Sequence, residues 1–186
     1  IKIMSGIDIS EKRRPQDGKI NFEQFGGARV ESLNPLRDTL ELPASAVEAD
    51  VGLRFNRIQW LRRTKNKDRR EQAWKMLLDA PSEPNVLLDL NNWWTERRIN
   101  CRGALNDGNP RVAYEIAAKH GLVSGDAYIE AEFLAGWIAL RFLGDPHSAL
   151  RHFLSLRRAA TSSKSIALGE YWLGRTALAL GDLGYL

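Results

Sequence analysis

The chain has 186 residues, of which 44% are hydrophobic and six are tryptophan, enough for one domain with a substantial core. Its net charge of +4 is uneven, because residues 54–75 carry nine basic and two acidic groups. No run of about 18 apolar residues occurs, so no membrane span is expected, and the lone Cys101 excludes an internal disulfide. The opening residues, IKIMSGIDISEKRR, lack the apolar segment of a signal peptide.

In the first 52 residues, the sequence predicts two short segments that do not form a large core. Residues 1–32 have the pattern of a short helix, which Pro15 ends, followed by a β-hairpin. Residues 33–52 form a polar linker, in which we expect Ser45 to cap a short helix that ends near Gly52.

From Leu53 onward, apolar residues recur at the spacing of amphipathic helices. The clearest stretch is Glu130–Leu156, which reads as two helices joined by a tight turn. Gly144 suits the left-handed position after a helix, and Asp145 and Pro146 suit the first positions of the next helix. The predicted helices cover residues 53–64, 71–81, 92–108, 110–120, 130–143, 146–158 and 165–182.

The second helix of each predicted pair carries a small residue followed by a bulky one. These pairs begin at Ala73, Ala113 and Ala149, at spacings of 40 and 36 residues. A period of this length, with a small residue where helices cross, is typical of an α-solenoid. The predicted fold class is therefore all-α: a TPR-like superhelix of stacked helical hairpins over 53–186, preceded by the short helix and β-hairpin. Because the last helix has no following partner, we expect the domain to be truncated at its C-terminus.

The segment IKIMSGIDISEKRRPQDGKINF, within residues 1–30, resembles the N-terminal segment of type II secretion and type IV pilus assembly ATPases. The resemblance implies a helix leading into the first strands of a PAS-like domain. The chain contains no G-x-x-x-x-G-K-[ST] sequence, which forms the phosphate-binding loop of such enzymes. ATP hydrolysis is therefore not expected.

Residues 46–182 resemble the superhelical domain of soluble lytic murein transglycosylases. The motifs that carry the resemblance are FNRIQWLRR, WWTERRINCRGALNDGNPRVAYEIAAKHGL, AEFLAGWIALRFLGDPHSALRHF and EYWLGRTALALGD. This family implies a curved scaffold of helical hairpins in the periplasm, with peptidoglycan as partner and no cofactor. It also implies a separate catalytic domain, which cleaves the glycan strand and leaves a 1,6-anhydro end.

The two resemblances conflict, because secretion ATPases work in the cytoplasm and murein transglycosylases in the periplasm. We interpret the join near residues 30–45 as a fusion, a rearrangement or an assembly artefact, with a functionally silent N-terminal piece. The periplasm is expected from the resemblance of the main domain, and the cytoplasm is the alternative for the chain as written, in which no signal peptide is recognised. Glu31-Ser32 matches the catalytic dipeptide of the family superficially, but it precedes the scaffold and is interpreted as linker.

Two groups of side chains are candidates for glycan or polyanion contacts. The first is Arg62 and Arg63, in a basic stretch that suits a phosphate-bearing polymer or muropeptide carboxylates. The second is Trp93 and Trp94, which point about 100° apart on a helix, so that one indole is a candidate for stacking on a sugar. The alternatives are a solvated helix face and core tryptophans. The basic stretch comprises Arg54, Arg57, Arg62, Arg63, Lys65, Lys67, Arg69 and Arg70.

The histidines give no sign of a metal site. His120 lies at a helix end, where it can interact with the helix dipole. His147 and His152 do not share a helix face, and His152 is placed on the outer, basic face with Arg151. The chain therefore has no predicted catalytic, cofactor-binding or metal-binding residue.

The predicted function is a scaffold fragment of a peptidoglycan lytic transglycosylase without its catalytic domain. The first alternative is a TPR-like adaptor that holds a protein partner in its concave face. The second alternative is a fragment of a secretion ATPase. Nucleic acid is not expected as a partner, because Phe55 and Trp60 occupy helical positions that packing explains better than base stacking.

Overall fold

A computed structural model describes residues 42–64, 66–87 and 89–181, and these ranges contain eight helices and no strand. The predicted all-α class is confirmed for this part of the chain. The expected helix and β-hairpin of residues 1–32 lie outside the described residues. The helices are α1 (Ala44–Ala49), α2 (Val51–Arg63), α3 (Lys67–Leu78), α4 (Leu90–Asn106), α5 (Pro110–Ala118), α6 (Gly125–Phe142), α7 (Pro146–Ala159) and α8 (Ser163–Leu180).

Most of these helices begin at a polar side chain that accepts a backbone N–H three residues further on. The N-terminal N–H groups of a helix have no partner inside it, so such a cap stabilises the first turn. The caps are Asp50 to Leu53, Asn66 to Arg69, Asp89 to Asn92, Asp145 to Ser148 and Ser162 to Ser165.

Several predicted boundaries and the predicted cap at Ser45 are wrong. The helix α3 begins at Lys67 rather than at residue 71, because Asn66 caps it and shortens the preceding turn. The short helix near residue 45 exists, but it follows Pro43 without a side-chain cap, and Ser45 lies inside it. Asn109 precedes α5 without capping it, since its side-chain amide donates to the Asp107 carbonyl.

The turn between α6 and α7 is as predicted. Gly144 has a positive φ of 61°, which a side chain would strain, and Pro146 occupies the first turn of α7. Gly181 ends α8 in the same left-handed conformation, with a φ of 74°.

Each helix packs against the next one in the chain and, in several cases, against the next but one. Contacts of the second kind join α2 with α4, α4 with α6, α6 with α8, and α3 with α5. Among the eight described helices, no contact joins two that are further apart in sequence. Ala73, Ala113 and Ala149 are fully buried at the helix contacts, as their small size predicts. Within the described ranges, no helix has the length and apolarity needed to cross a bilayer.

Candidate functional site

Trp93 and Trp94 are both buried, at 4% and 2% exposure, so the expectation that one indole is available to a sugar is wrong. The Trp93 ring lies 5.0 Å from the ring of Phe55 on α2. The Trp94 indole donates from Nε1 to Glu130 on α6, at 3.0 Å. Because α4 packs against α2 on one side and α6 on another, both indoles lie in contacts between helices.

Arg62 is engaged inside the protein. Its Nε and Nη2 donate to the two carboxylate oxygens of Glu96 on α4, at 2.5 and 3.1 Å. Glu96 is only 2% exposed, so its charge is compensated by Arg62 and by Asn100, whose amide donates to the same carboxylate. Arg63, in contrast, is exposed and has no hydrogen bond or ion pair within the described residues.

The basic stretch does not form the continuous polyanion surface that its charge suggests. Three of its cations, Arg54, Arg62 and Arg70, bind acceptors on other elements, and Lys65 lies outside the described residues. Part of the charge excess is therefore used to hold α2 and α3 against the elements around them. The contacts are Arg54 with the carbonyls of Glu48 and Asp79, Arg70 with Asp107, Lys67 with Glu71, and Arg69 over the Trp60 ring.

A buried arginine that sequence reasoning missed ties α3 to α4. Arg97 is fully buried and donates to the backbone carbonyls of Leu77 and Pro81. Burial lowers the pKa of Arg97 to about 10, which still leaves the guanidinium charged near neutral pH. A cation at the last carbonyls of α3 suits the negative end of that helix.

The middle of α6 carries a second buried carboxylate, Glu132, which binds two histidines. Its Oε2 lies 2.6 Å from Nδ1 of His152 on α7, and its Oε1 lies 3.4 Å from Nε2 of His120 after α5. Burial by itself would raise the pKa of Glu132. The hydrogen bonds from the two imidazoles outweigh it and lower that pKa to about 2.

These contacts correct the predicted positions of both histidines. His152 is turned inward from the basic face of α7, because Glu132 and the Tyr114 hydroxyl, 3.1 Å from its Nε2, lie opposite it. His120 is buried and accepts the backbone N–H of Leu122 at Nδ1, at 3.0 Å, instead of bonding to the end of its helix. The proton of His120 therefore sits on Nε2, where it faces Glu132.

The described residues offer no chemistry for a metal or a thiol nucleophile. They contain no group of three His, Cys, Asp or Glu side chains that could hold a metal ion. Burial raises the pKa of the Cys101 thiol to about 12, despite the opposing charge of Arg102. The thiol stays protonated near neutral pH and is not a nucleophile.

A concave surface runs across α4, α6 and α8. It holds two adjoining depressions, of about 420 and 370 Å³, and the Phe133 side chain lines both of them. We call this surface the Phe133 groove. The first depression is lined by Arg102, Leu105, Asn106, Phe133, Leu134 and Trp137, and the second by Asp126, Ile129, Glu130, Phe133, Ser162, Lys164, Ser165 and Leu168.

The charges at the edge of the Phe133 groove are partly paired. Glu130 accepts two hydrogen bonds from Arg98, each at 2.8 Å, in addition to the bond from Trp94. Arg102 lies 4.0 Å from Glu130, and its side chain is 62% exposed. Lys164 is exposed and has no partner within the described residues. The groove therefore presents an apolar floor with two cations available to a ligand.

No family model, curated protein or solved structure matches the chain. The two resemblances therefore stay predictions from the sequence motifs.

Proposed function

We propose that residues 43–181 form an α-solenoid scaffold of the kind found in soluble lytic murein transglycosylases, which works in the periplasm and binds peptidoglycan without cleaving it. The observation that carries the proposal is the Phe133 groove, which lies across α4, α6 and α8. The sequence motifs of residues 46–182 are the basis for proposing this family, and the groove is the proposed binding site.

The packing of the helices supports a solenoid. Every contact between described helices joins neighbours or next neighbours in the chain. In a repeat protein each unit contacts only the units beside it, so contacts stay short in sequence. The helices α4, α6 and α8 are then equivalent members of successive hairpins, and their shared face is the binding face of the scaffold.

The state of the buried carboxylates supports a non-catalytic role for this part of the chain. A glutamic acid that acts as the general acid in glycan cleavage has to be protonated near neutral pH. This requires the pKa of its carboxyl group to be raised. Glu132 has its pKa lowered to about 2 and is held by two histidines. Glu96 is bound by Arg62 in a buried pair. Neither carboxyl is suited to be the acid.

The chemistry of the Phe133 groove fits peptidoglycan. Its sugar rings and peptide stems combine apolar faces with hydroxyl, amide and carboxylate groups. Phe133 and Trp137 provide an apolar floor, Asn106 provides an amide, and Arg102 and Lys164 provide cations for carboxylates.

Co-sedimentation with isolated sacculi tests the proposal. We expect the full chain to sediment with sacculi and to release no anhydro-muropeptides, while an active lytic transglycosylase releases them under the same conditions. Release of anhydro products would refute the non-catalytic role. A chain that stays in the supernatant at low ionic strength would refute peptidoglycan binding.

The same groove supports a second candidate, a TPR-like adaptor for a peptide partner. Asp126 adds an exposed carboxylate to the depression that Lys164 also lines, so the groove offers both charges to a peptide with charged side chains. Failure to bind sacculi, together with crosslinking of one discrete protein to the groove, would favour the adaptor over the peptidoglycan scaffold.

A further inference from the structure

A second pocket, distinct from the Phe133 groove, lies between α1, α2 and α3. Its volume is about 550 Å³, within the range of about 300–1,000 Å³ that small-molecule sites occupy. It has three apolar side chains and six polar or charged ones. The lining residues are Ala44, Val47, Glu48, Arg54, Arg57, Gln72, Lys75, Met76 and Asp79. We call it the Arg57 pocket.

Arg57 has hydrogen-bond donors that the described protein leaves unused. Its Nε and Nη2 are shielded from solvent and have no acceptor. Burial also lowers the pKa of Arg57, as expected for a cation that has lost water without gaining a counter-charge. A guanidinium with unpaired buried donors is destabilised relative to one that is fully bonded.

The contact of Arg62 with Glu96 shows that a carboxylate fits the Nε and Nη2 edge of an arginine side chain. One and a half turns further along α2, its Nε and Nη2 hold the two oxygens of the Glu96 carboxylate. The same two atoms of Arg57 are the unpaired ones. A planar carboxylate satisfies both donors at once, because its two oxygens match the spacing of the guanidinium edge.

The other charged groups of the Arg57 pocket leave room for an anion. Arg54 is occupied by the backbone carbonyls of Glu48 and Asp79. Lys75 is exposed and has no partner within the described residues. Within the described residues, the carboxylates of Glu48 and Asp79 form no hydrogen bond or ion pair with Arg57 or Lys75.

We propose that the Arg57 pocket binds the carboxylate of a small acidic ligand, with Arg57 as the bidentate contact and Lys75 as a second cation. Because the two free nitrogens are shielded in the unliganded protein, binding requires the Arg57 side chain to turn this edge towards the pocket. The site is independent of the Phe133 groove and goes beyond the scaffold role.

A titration of the full chain with a matched pair of probes tests the site. The ¹⁵N-labelled protein is titrated with N-acetylalanine and with N-acetylalaninamide, which has almost the same shape but no carboxylate. We expect the acid to shift the Arg57 Nε–H resonance at millimolar concentration and the amide to leave it in place. The resonance is assigned by its loss in Arg57→Lys, and this comparison of probes needs only the wild-type fold.

Two further arms decide the outcome. In Arg63→Gln, which removes an exposed arginine outside the pocket, we expect the response to the acid to persist. In Arg57→Gln we expect the remaining shifts of pocket residues to be lost. Equal shifts with acid and amide, or no shift up to about 50 mM acid, would overturn the site. A response to sodium phosphate and none to the acid would overturn its assignment to a carboxylate.

Discussion

The Glu132 carboxylate on α6 lies 2.6 Å from Nδ1 of His152 on α7, and this contact joins two helices through a charge that is almost fully buried. The same carboxylate reaches His120 after α5, so one residue connects three consecutive elements of the fold. Both ring nitrogens of His152 face oxygen atoms, since Tyr114 lies on its other side.

Stability is expected to fall as the pH drops from about 4.5 towards 2. Glu132 has its pKa lowered from 4.5 to about 2, so the folded state favours the ionised form. A carboxyl of this kind stabilises the fold above its unfolded pKa, and the gain disappears as pH falls through its folded pKa. The loss amounts to roughly 3 kcal/mol.

Urea unfolding at a series of pH values measures this effect. Glu132→Gln keeps the size and one acceptor of the side chain but cannot ionise, so its stability is expected to vary less over the same range. Parallel loss of stability in wild type and variant would show that other carboxyl groups account for the acid sensitivity.

Removal of the Arg62 charge is expected to destabilise the protein much more than removal of the Arg63 charge. Arg62→Gln leaves Glu96 buried without its cation, which costs about 3 kcal/mol. Arg63→Gln is the matched control, because Arg63 is exposed and unpaired within the described part of the chain, and a change within about 0.5 kcal/mol is expected. Chemical denaturation of both variants checks the prediction, and equal losses would contradict the Arg62–Glu96 pair.

The elements that depend on local chemistry could be predicted from the sequence. Gly144, Asp145 and Pro146 each have a conformational or capping preference that acts within one turn, and the structure places them accordingly. The sequence predicts the start of α3 four residues too late, because Asn66 is equally typical of a loop. The same residue types occur at helix caps and in loops, so only the backbone conformation distinguishes the two.

The polar contacts between helices could not be predicted in the same way. Glu96 pairs with Arg62 across 34 residues, and Glu132 with His152 across 20. Periodicity indicates which face of a helix is buried, but not which residue of another helix lies opposite. Periodicity therefore places His152 on the outer face with its basic neighbours, whereas its ring bonds to Glu132. Both tryptophans of α4 are buried because helices cover that element on more than one side.

A methyl group at Gly136 is expected to push α6 away from α7. A Cβ at this position would lie 2.8 Å from Cε1 of Phe153 and 3.1 Å from Cβ of His152. Gly136→Ala should therefore destabilise the fold by about 1–3 kcal/mol. Gly103→Ala on α4 is the control, because nothing lies within 4 Å of the added atom, and it should stabilise the fold by up to about 1 kcal/mol. Thermal unfolding of the two variants would contradict the close approach if both were equally stable.

The Cys101 thiol is expected to be inert in the folded protein. It is fully buried, and burial raises its pKa to about 12, so very little thiolate is present near neutral pH. Because the chain has a single cysteine, reaction with an aromatic disulfide reagent reports on this residue alone. The native rate should be at least roughly a hundredfold below the rate in urea, and similar rates would show that α4 does not shield the thiol.

The central claim is that the Phe133 groove holds peptidoglycan, and the affinity of a charge-reversed groove for sacculi tests it most directly. Arg102→Glu with Lys164→Glu replaces the two cations at its edge without changing the apolar floor. Arg111→Glu with Arg158→Glu reverses two exposed arginines outside the groove, so this control changes the net charge by the same amount. We expect sedimentation with sacculi to weaken by roughly tenfold in the groove variant and to stay near wild type in the control. Binding that survives the groove variant, or that falls equally in the control, would contradict the account.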